Sequence, residues 1–165
     1  MKTEGKSVRE STTVMTQLMY SQDANPAGNV HGGTIMKLID TAAGVVAVRH
    51  CRTNVVTASI DRLDLLRPIF IGNLVTIKAS LNLVGRTSME IGVRVDAEDL
   101  RSGETRKVAA AFLTFVALDK NGRPTQAPPL ILETEEDIRR NREAGARRLA
   151  RLQSKTSQRP ERPLL

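Results

Sequence analysis

The sequence has few aromatic residues, one cysteine and no long hydrophobic run. Three Phe and one Tyr, with no Trp, do not supply the stacking platform that single-stranded nucleic-acid binders use. One Cys cannot form an intramolecular disulfide, and with two His it leaves too few ligands for the usual zinc sites. The longest apolar run, residues 42–48, is far shorter than the roughly 18 residues needed to cross a bilayer, and the N-terminus has no apolar leader. We therefore expect a soluble, cytoplasmic protein with no membrane insertion, metal or cofactor.

The positive charge is concentrated at the C-terminal end of the chain. The formal net charge is +7, but residues 1–137 carry 16 Lys or Arg and 16 Asp or Glu. Residues 138–165 carry the remaining nine Lys or Arg and only two Glu. A charge run of this kind usually forms a solvated face and attracts polyanions weakly. The charge pattern therefore predicts no specific nucleic-acid binding.

Hydrophobic periodicity predicts one long helix followed by a series of strands. Residues 34–50 are apolar nearly all round and too long for one strand, which indicates a buried helix. The segments with strand-like patterning are residues 12–20, covered on both faces, 54–63, and 107–118, apolar on both faces and therefore central. The alternating runs 74–84 and 88–98 are two further strands, joined as a hairpin at residues 85–87. Most connections after the helix are too short for a crossover, so we predict an α+β fold with an antiparallel sheet wrapped around the helix.

A second helix is predicted near the C-terminus. Thr134 is a capping residue, acidic residues follow it, and arginines occupy the later turns. This helix is polar on most faces. Its weak apolar line, formed by Ile138, Leu149 and Leu152, suggests that it lies on the surface or against a partner subunit. The predicted divisions are a mobile N-terminus at 1–10, the main domain at 11–132, the C-terminal helix at 133–153 and a mobile basic tail at 154–165.

Asp40 is an unusual residue for the middle of the buried helix. It lies among Ile35, Met36, Ile39 and Ala42, where an unpaired charge would cost several kcal/mol. The carboxylate therefore needs a partner. Either it is bonded to a neighbouring backbone or hydroxyl group, or it faces a water or a ligand and takes part in chemistry.

The segment before this helix, SQDANPAGNVHGG, is a loop that contains Asn25 and ends on Gly32 and Gly33. Free backbone N–H groups at a helix start form an anion site, which would suit an oxyanion that develops at an attacked carbonyl. A plain loop-to-helix turn explains the glycines equally well. His31 beside them either polarises a carbonyl or acts as an acid or base, or it orders the loop.

Other nucleophile candidates have weaker support. Cys51 follows the helix end and is typical of a small packed hydrophobe, while Ser59 is not set in a GxSxG elbow. Neither His31 nor His50 has the surroundings of a serine-hydrolase triad. Strand periodicity puts Thr57, Ser59 and Asp61 on one face, which is either a site wall or a wetted sheet face.

Two segments carry a family resemblance: PAGNVHGGTIMKLIDTAAGVVAVRHCRTNVVTASID and GRTSMEIGVRVDAED. They resemble the acyl-CoA thioesterases of the hotdog fold, and more narrowly the brain-type cytosolic acyl-CoA hydrolases and their single-domain bacterial relatives. The resemblance covers residues 10–150 and agrees with the predicted order of elements. It implies a hotdog fold, an antiparallel sheet around a long central helix, here with an extra C-terminal helix.

The resemblance implies roles for the loop and helix residues in thioester hydrolysis. Asp40 matches the general base or attacking carboxylate, Asn25 the residue that holds the thioester or water, and Thr57 the residue that bonds to the attacking water. Gly32 and Gly33, with His31 next to them, match the group that stabilises the oxyanion.

The resemblance also implies an assembly. The site forms across a homodimer, with Asn25 and Asp40 from opposite subunits. This chain carries both residues, so we expect two equivalent sites per dimer, and dimers assembled into a hexamer as a trimer of dimers. The phosphates of coenzyme A need cations, and Arg86 with Thr87 and Ser88 is the best candidate for that role. A plain hairpin turn at these residues is the alternative.

Two other functions remain open at this point. A hotdog dehydratase of hydroxyacyl thioesters would need a loop His beside a helical acid, which His31 and Asp40 could imitate, but the matches of Asn25 and Thr57 favour hydrolysis. An acyl-CoA sensor would bind without turnover and use its basic tail on nucleic acid. Retention of Asp40 and Asn25, and the lack of a recognisable helix-turn-helix, argue against a sensor.

Overall fold

The structure, a computed structural model, describes residues 4–157, with side chains described as far as Ser154. The parts of the predicted mobile termini at 1–3 and 158–165 lie outside the described residues. The helices are α1 (Gly32–Cys51) and α2 (Glu135–Ser157), and short 3-10 turns cover Val8–Glu10 and Ser21–Asp23. The strands are β1 (Lys6–Ser7), β2 (Thr13–Leu18), β3 (Asn54–Leu65), β4 (Asn73–Val84), β5 (Ser88–Asp99), β6 (Thr105–Leu118) and β7 (Leu130–Ile131).

Five strands form one antiparallel sheet in the order β2-β4-β5-β6-β3. The predicted hairpin between β4 and β5 is present, and β6 lies inside the sheet between β5 and β3, as its apolar pattern predicts. Helix α1 contacts one face of this sheet, here called the inner face. The predicted α+β architecture, a sheet around a long helix with an extra C-terminal helix, is therefore confirmed.

The core lies between α1 and the inner face. Alternate residues of β4 and β5 point into it because strand side chains have a period of two. The buried residues of these strands and of α1 include Val75, Ile77, Leu81, Met89, Ile91, Val95, Ile35, Ile39, Ala43 and Val46. Helix α1 is not buried all round as predicted, since Met36 and Val48 are 40% and 44% exposed.

Residues 6–8 lie within the segment predicted as a mobile N-terminus, and in the structure they are paired or buried. Lys6–Ser7 pairs in parallel with Leu130–Ile131, and Ser7 and Val8 are buried. The sequence missed this pair because two-residue strands carry no periodicity. Strand β2 also differs, since it is an edge strand with Val14 60% exposed and is not covered on both faces.

Two register shifts in β3 change which way its side chains point. Thr57 pairs with Phe115 of the inner face, but Ser59 pairs with Thr114 of the outer face, because Ala58 is skipped in the pairing. A second shift lies between Ile60 and Arg62. An extra residue in a strand reverses the face of every side chain that follows. The prediction of one shared polar face for Thr57, Ser59 and Asp61 is therefore wrong.

Helix α2 crosses the outer face of the sheet. Arg140 donates to Ser80 Oγ, Asn141 to the Asn82 carbonyl and Arg147 to Glu90. Ala144, on the side of α2 that faces the sheet, is fully buried. Because the outer face is polar, the helix packs through a polar side, and Ile138 and the other residues of the predicted apolar line are more than half exposed.

No helix in the described part of the chain is both long and apolar enough to span a membrane.

Candidate active site

A direct hydrogen bond joins two of the predicted site residues. Asp40 lies partly buried in the middle of α1, and Thr57 Oγ1 donates to its Oδ1 at 2.7 Å. The first register shift of β3 makes this contact possible, because it occurs immediately after Thr57 and leaves that side chain on the inner face. Oδ2 of Asp40 makes no hydrogen bond to any described residue. One carboxylate oxygen is thus fixed, and the other is free to accept a hydrogen bond.

Asn25 holds the loop before α1 in a tight turn. Its Oδ1 accepts hydrogen bonds from the Ala27 and Asn29 N–H groups at 3.0 and 3.1 Å. Its backbone N–H donates to the Asn29 carbonyl, and the Gly28 N–H donates to the Asn25 carbonyl. Gly28 has a φ of 85°, a left-handed conformation that glycine adopts without strain. The side-chain NH₂ group of Asn25 has no hydrogen-bond acceptor within residues 4–157, so it can donate to a ligand.

The start of α1 is capped by His31. Its Nδ1 accepts from the Gly33 N–H at 2.9 Å, and its carbonyl accepts from the Thr34 N–H. The loop-ordering role of His31 is therefore present in the structure, and it occupies one of the two glycine amides predicted for the oxyanion. The Gly32 N–H has no acceptor among the described residues. Neither His31 nor Asn25 is hydrogen-bonded to Asp40 in this chain.

The predicted coenzyme A hairpin lies at the turn between β4 and β5. The Gly85 N–H donates to the Ser88 carbonyl, while the Arg86 and Thr87 carbonyls accept from Ala127 and Ala117. These backbone bonds fix the turn and leave the exposed Arg86 side chain with no ion pair to any described carboxylate.

A second guanidinium lies against the same turn. The Arg148 guanidinium of α2 packs so closely on Gly85 that a Cβ atom added there would push this side chain aside. The sequence does not single out Arg148, because nothing in the local pattern shows which arginine of α2 meets the hairpin.

A buried charge cluster on the outer face was also missed. The Glu90 side chain is 2% exposed and accepts from Arg147 at 2.7 Å and from Asn82 Nδ2 at 3.1 Å. The Arg147 guanidinium lies 3.8 Å from the centroid of the Phe112 ring. Strand alternation places Glu90 opposite the core, but only the path of α2 supplies its partner. A cleft of about 660 Å³ lies beside this cluster and is not lined by Asp40, Thr57 or Asn25.

The weaker nucleophile candidates lie away from the pair formed by Asp40 and Thr57. Burial raises the pKa of the Cys51 thiol to about 11, so it is protonated near neutral pH. His50 is fully buried and its Nε2 lies 2.8 Å from the Pro128 carbonyl oxygen, while Nδ1 has no partner. Burial lowers the pKa of His50. Ser59 donates to Asp61 on the opposite face from Asp40.

No group of three or more His, Cys, Asp or Glu side chains within the described part of the chain is arranged to hold a metal ion.

Sequence comparisons place the chain among known thioester hydrolases. The model of the thioesterase superfamily matches residues 27–104. An uncharacterised acyl-CoA thioester hydrolase of Bacillus subtilis is 42% identical over 135 residues, 82% of this chain and 78% of that protein. The cytosolic acyl coenzyme A thioester hydrolase of Rattus norvegicus is 39% identical over 88% of this chain, which spans only 39% of the rat protein.

Solved structures show the same architecture. A hexameric acyl-CoA thioesterase in its apo form superposes with a TM-score of 0.89 at 35% identity, covering 94% of this chain and 99% of the other. The acyl-CoA hydrolase of Staphylococcus aureus, in complex with butyryl coenzyme A and coenzyme A, superposes with a TM-score of 0.83 at 33% identity, covering 92% and 95%. Structures of that hydrolase also exist for single replacements of an Asn, an Asp and a Thr by Ala.

Proposed function

Because the chain belongs to the acyl-CoA thioester hydrolases of the thioesterase superfamily, we propose that it hydrolyses fatty acyl-CoA to a free fatty acid and coenzyme A. The observation that carries the proposal is the pair formed by Asp40 and Thr57. A carboxylate with one oxygen fixed by a hydroxyl and the other unpaired is oriented to take a proton from water.

Asp40 acts on the water that attacks the thioester. The unpaired Oδ2 takes a proton from the water while the water oxygen bonds to the carbonyl carbon, and the carbonyl electrons move to its oxygen. When the resulting oxyanion collapses, the carbon–sulfur bond breaks and the proton is returned to the thiolate of coenzyme A. Direct attack by the carboxylate, through an anhydride that water then opens, is the alternative. Label in Asp40 after single turnover in ¹⁸O water would identify an anhydride that water opens at the Asp40 carbonyl, because direct attack by water on the thioester never places ¹⁸O in Asp40.

The oxyanion is stabilised by donors at the start of α1. The Gly32 N–H lies at the positive end of the helix dipole and has no acceptor among the described residues, and Gly33 joins it if His31 releases its amide. The Asn25 amide group is a further donor, since its oxygen is used within the loop. The dehydratase alternative loses support, because His31 serves as the helix cap and does not contact Asp40.

The types and spacing of these residues support the assignment. In the Staphylococcus aureus hydrolase, the Asn, Asp and Thr chosen for replacement follow one another at intervals of 15 and 17 residues. The intervals from Asn25 to Asp40 and from Asp40 to Thr57 are the same. Two equal intervals with the same residue types are difficult to obtain by chance.

The working site is shared between two subunits of a homodimer. Strand β3 is a long edge strand, and its Val56 and Ile60 side chains are 43% and 41% exposed. Natural proteins usually cover a long apolar edge of this kind. A second copy docked along β3 would cover these residues and bring its Asn25 to Asp40. Each dimer then has two equivalent sites, and three dimers form a hexamer, the assembly named for a similar structure.

Coenzyme A is bound through its phosphates at the turn between β4 and β5. Arg86 supplies an exposed guanidinium, and Thr87 and Ser88 supply hydroxyl donors beside it. Arg148, packed on Gly85, adds a second positive charge at the same turn. Coenzyme A enters as part of the substrate and leaves as product, so the reaction as written draws on no separate cofactor.

Thiol release from a panel of short to long acyl-CoAs tests the proposed activity. Wild type should turn over, Asp40→Asn should lose about 100-fold or more in kcat, and Glu104→Gln, which removes an exposed carboxylate from the turn between β5 and β6, should retain full activity. Coenzyme A binding without turnover on any chain length would instead indicate an acyl-CoA sensor.

Mixed dimers test the shared site. Homodimers of Asn25→Ala and of Asp40→Asn should each be inactive, but a dimer of one variant with the other contains one intact site if Asn25 and Asp40 come from opposite subunits. Mixing should therefore restore about half the wild-type activity per mixed dimer, the value for one working site of two. If the two residues act within one subunit, the mixture stays inactive.

A further inference from the structure

Asp61 is held by three side chains on the outer face of the sheet. Its Oδ1 accepts from Ser59 Oγ at 2.7 Å, and its Oδ2 accepts from Thr114 Oγ1 on β6 at 2.7 Å. Oδ2 also accepts from Arg151 of α2. The Asp61 and Arg151 side chains are only 16% and 20% exposed, so the ion pair is screened less than a surface pair.

These bonds lie at the two register shifts of β3. Asp61 is itself the residue skipped in the second shift, and Ser59 is the first residue after Ala58, which is skipped in the first. The bonds from Thr114 and Arg151 therefore connect the irregular segment to its neighbour strand and to α2, and the bond from Ser59 lies within the segment. They hold Ser59 and Asp61 toward the outer face, while Thr57 stays on the inner face.

The backbone pairing of β3 does not by itself secure this arrangement. Until a second copy docks along its free edge, β3 has only β6 beside it within the described chain, and a strand with little burial on either face specifies its register weakly. A regular strand without the first shift would place Thr57 and Ser59 on the same face. With Ser59 on the outer face, Thr57 would then point away from Asp40.

We propose that Asp61, held by Arg151, is a positioning residue that keeps Thr57 directed at Asp40. This inference rests on the proposed function, because it assigns Asp61 an effect on the same hydrolytic site through Thr57. Asp61 lies on the opposite face of the sheet from Asp40 and touches no reacting atom. Its effect is transmitted by the register of β3.

The decisive measurement is a double-mutant cycle in kcat. Asp61→Ala should lower kcat about tenfold and leave KM within about twofold, because Thr57 acts on the chemical step and not on binding. In a Thr57→Val background, Asp61→Ala should cause no further loss, since the residue that it positions is already missing. Losses that simply multiply would overturn the proposal.

Variants of the arginines separate positioning from general loosening of α2. Arg151→Ala should reproduce the Asp61→Ala loss in part, and Arg151→Lys, which keeps the charge, should recover most of it. Arg140→Ala is the matched control, because it removes another hydrogen bond from α2 to the sheet, to Ser80 on β4. If Arg140→Ala lowers kcat as much as Arg151→Ala, the effect is loosening of the helix and the proposal is wrong.

A crystal structure of Asp61→Ala gives a readout that does not depend on activity. In this variant we expect the hydrogen bond from Thr57 to Asp40 to be lost or lengthened beyond 3.5 Å, the usual limit for such a bond. A variant that keeps this bond and the register of β3 overturns the proposal.

The outcomes also separate this inference from the proposed function. If wild type turns over acyl-CoA, and Thr57→Val is impaired while Asp61→Ala is not, only the positioning role fails. If Thr57→Val has full activity, the role of Thr57 and the positioning role both fail while hydrolysis stands. If wild type has no thioesterase activity, the proposed function fails, and the crystal structure still decides whether Asp61 sets the direction of Thr57.

Discussion

The hydroxyl of Thr57 on β3 donates to Oδ1 of Asp40 on α1 at 2.7 Å. Thr57 immediately precedes a register shift of β3, so the bond joins the irregular part of the strand to a carboxylate of the helix. The bond selects which oxygen of Asp40 stays available. It also ties the edge strand of the sheet to the helix that the sheet surrounds. The pair is therefore sensitive to changes in either element.

Thr57→Val should lower kcat by about 10- to 100-fold, because it keeps the shape of the side chain and removes the hydroxyl that orients Asp40. Thr57 is exposed in this chain, so the Tm of the variant should stay close to that of wild type. Thr57→Ser keeps the hydroxyl and should keep most of the activity. Steady-state thiol release measures all three proteins, and an unchanged kcat in Thr57→Val would remove Thr57 from the chemistry.

Arg86→Ala should raise the KM for acyl-CoA about 5- to 10-fold with little change in kcat, since it removes a charge that meets a phosphate in ground and transition states alike. Salt should reduce the difference, because screening weakens the interaction in wild type. Arg101→Ala, in the exposed turn at the other end of β5, is the control. Equal effects of both replacements would point to general surface charge and not to a phosphate site.

Glu90→Ala should destabilise the fold by about 2–4 kcal/mol, because it leaves the Arg147 charge and the Asn82 amide without their buried partner. Glu143→Ala, on α2 itself, is the matched control. It breaks the exposed pair with Arg139 and should cost less than about 1 kcal/mol. Urea unfolding measures both, and similar midpoints for the two variants would contradict the assignment of Glu90 as a buried anchor for α2.

Stability should fall as the pH drops below about 6.5, and His50 should contribute to the fall. Burial lowers the pKa of His50 in the folded protein, so the unfolded chain binds the proton more tightly. The stabilising contribution is complete above the unfolded pKa of about 6.5 and is lost as the pH falls through it toward the folded pKa. Urea unfolding from pH 8 to 5 should show a flatter slope for His50→Gln than for wild type. Parallel slopes would show that His50 has no part in this pH dependence.

Much of the fold follows from local patterns. The alternation of apolar residues in β4 and β5 depends only on the two-residue period of a strand, and the length and composition of α1 exclude a strand. The predicted helix over 34–50 appears as Gly32–Cys51, and the hairpin at residues 85–87 is where it was predicted. The β1 and β7 pair could not be predicted, because two residues carry no period and their partners are more than 120 residues apart.

The packing of α2 shows a second limit of local patterns. A helix normally buries its apolar side, but the weak apolar line of Ile138, Leu149 and Leu152 predicted only that α2 lies on the surface or against a partner subunit, and these residues are exposed in the chain. The surface beneath α2 is polar, so Arg140, Arg147 and Arg151 face the sheet instead. The side that a helix buries depends on the surface that receives it, which its own sequence does not contain.

The sequence by itself determined the family, the antiparallel sheet around one helix, and the residue types available to a hydrolytic site, because these depend on local period and on motifs contiguous in the chain. The tertiary structure decided the face on which Thr57 lies, the occupation of the Gly33 amide by His31, and the partners of Glu90 and Asp61. Each of these follows from a register shift, a rotamer or a contact between distant segments. One extra residue in β3 reverses a face, and no local pattern records where that residue is placed.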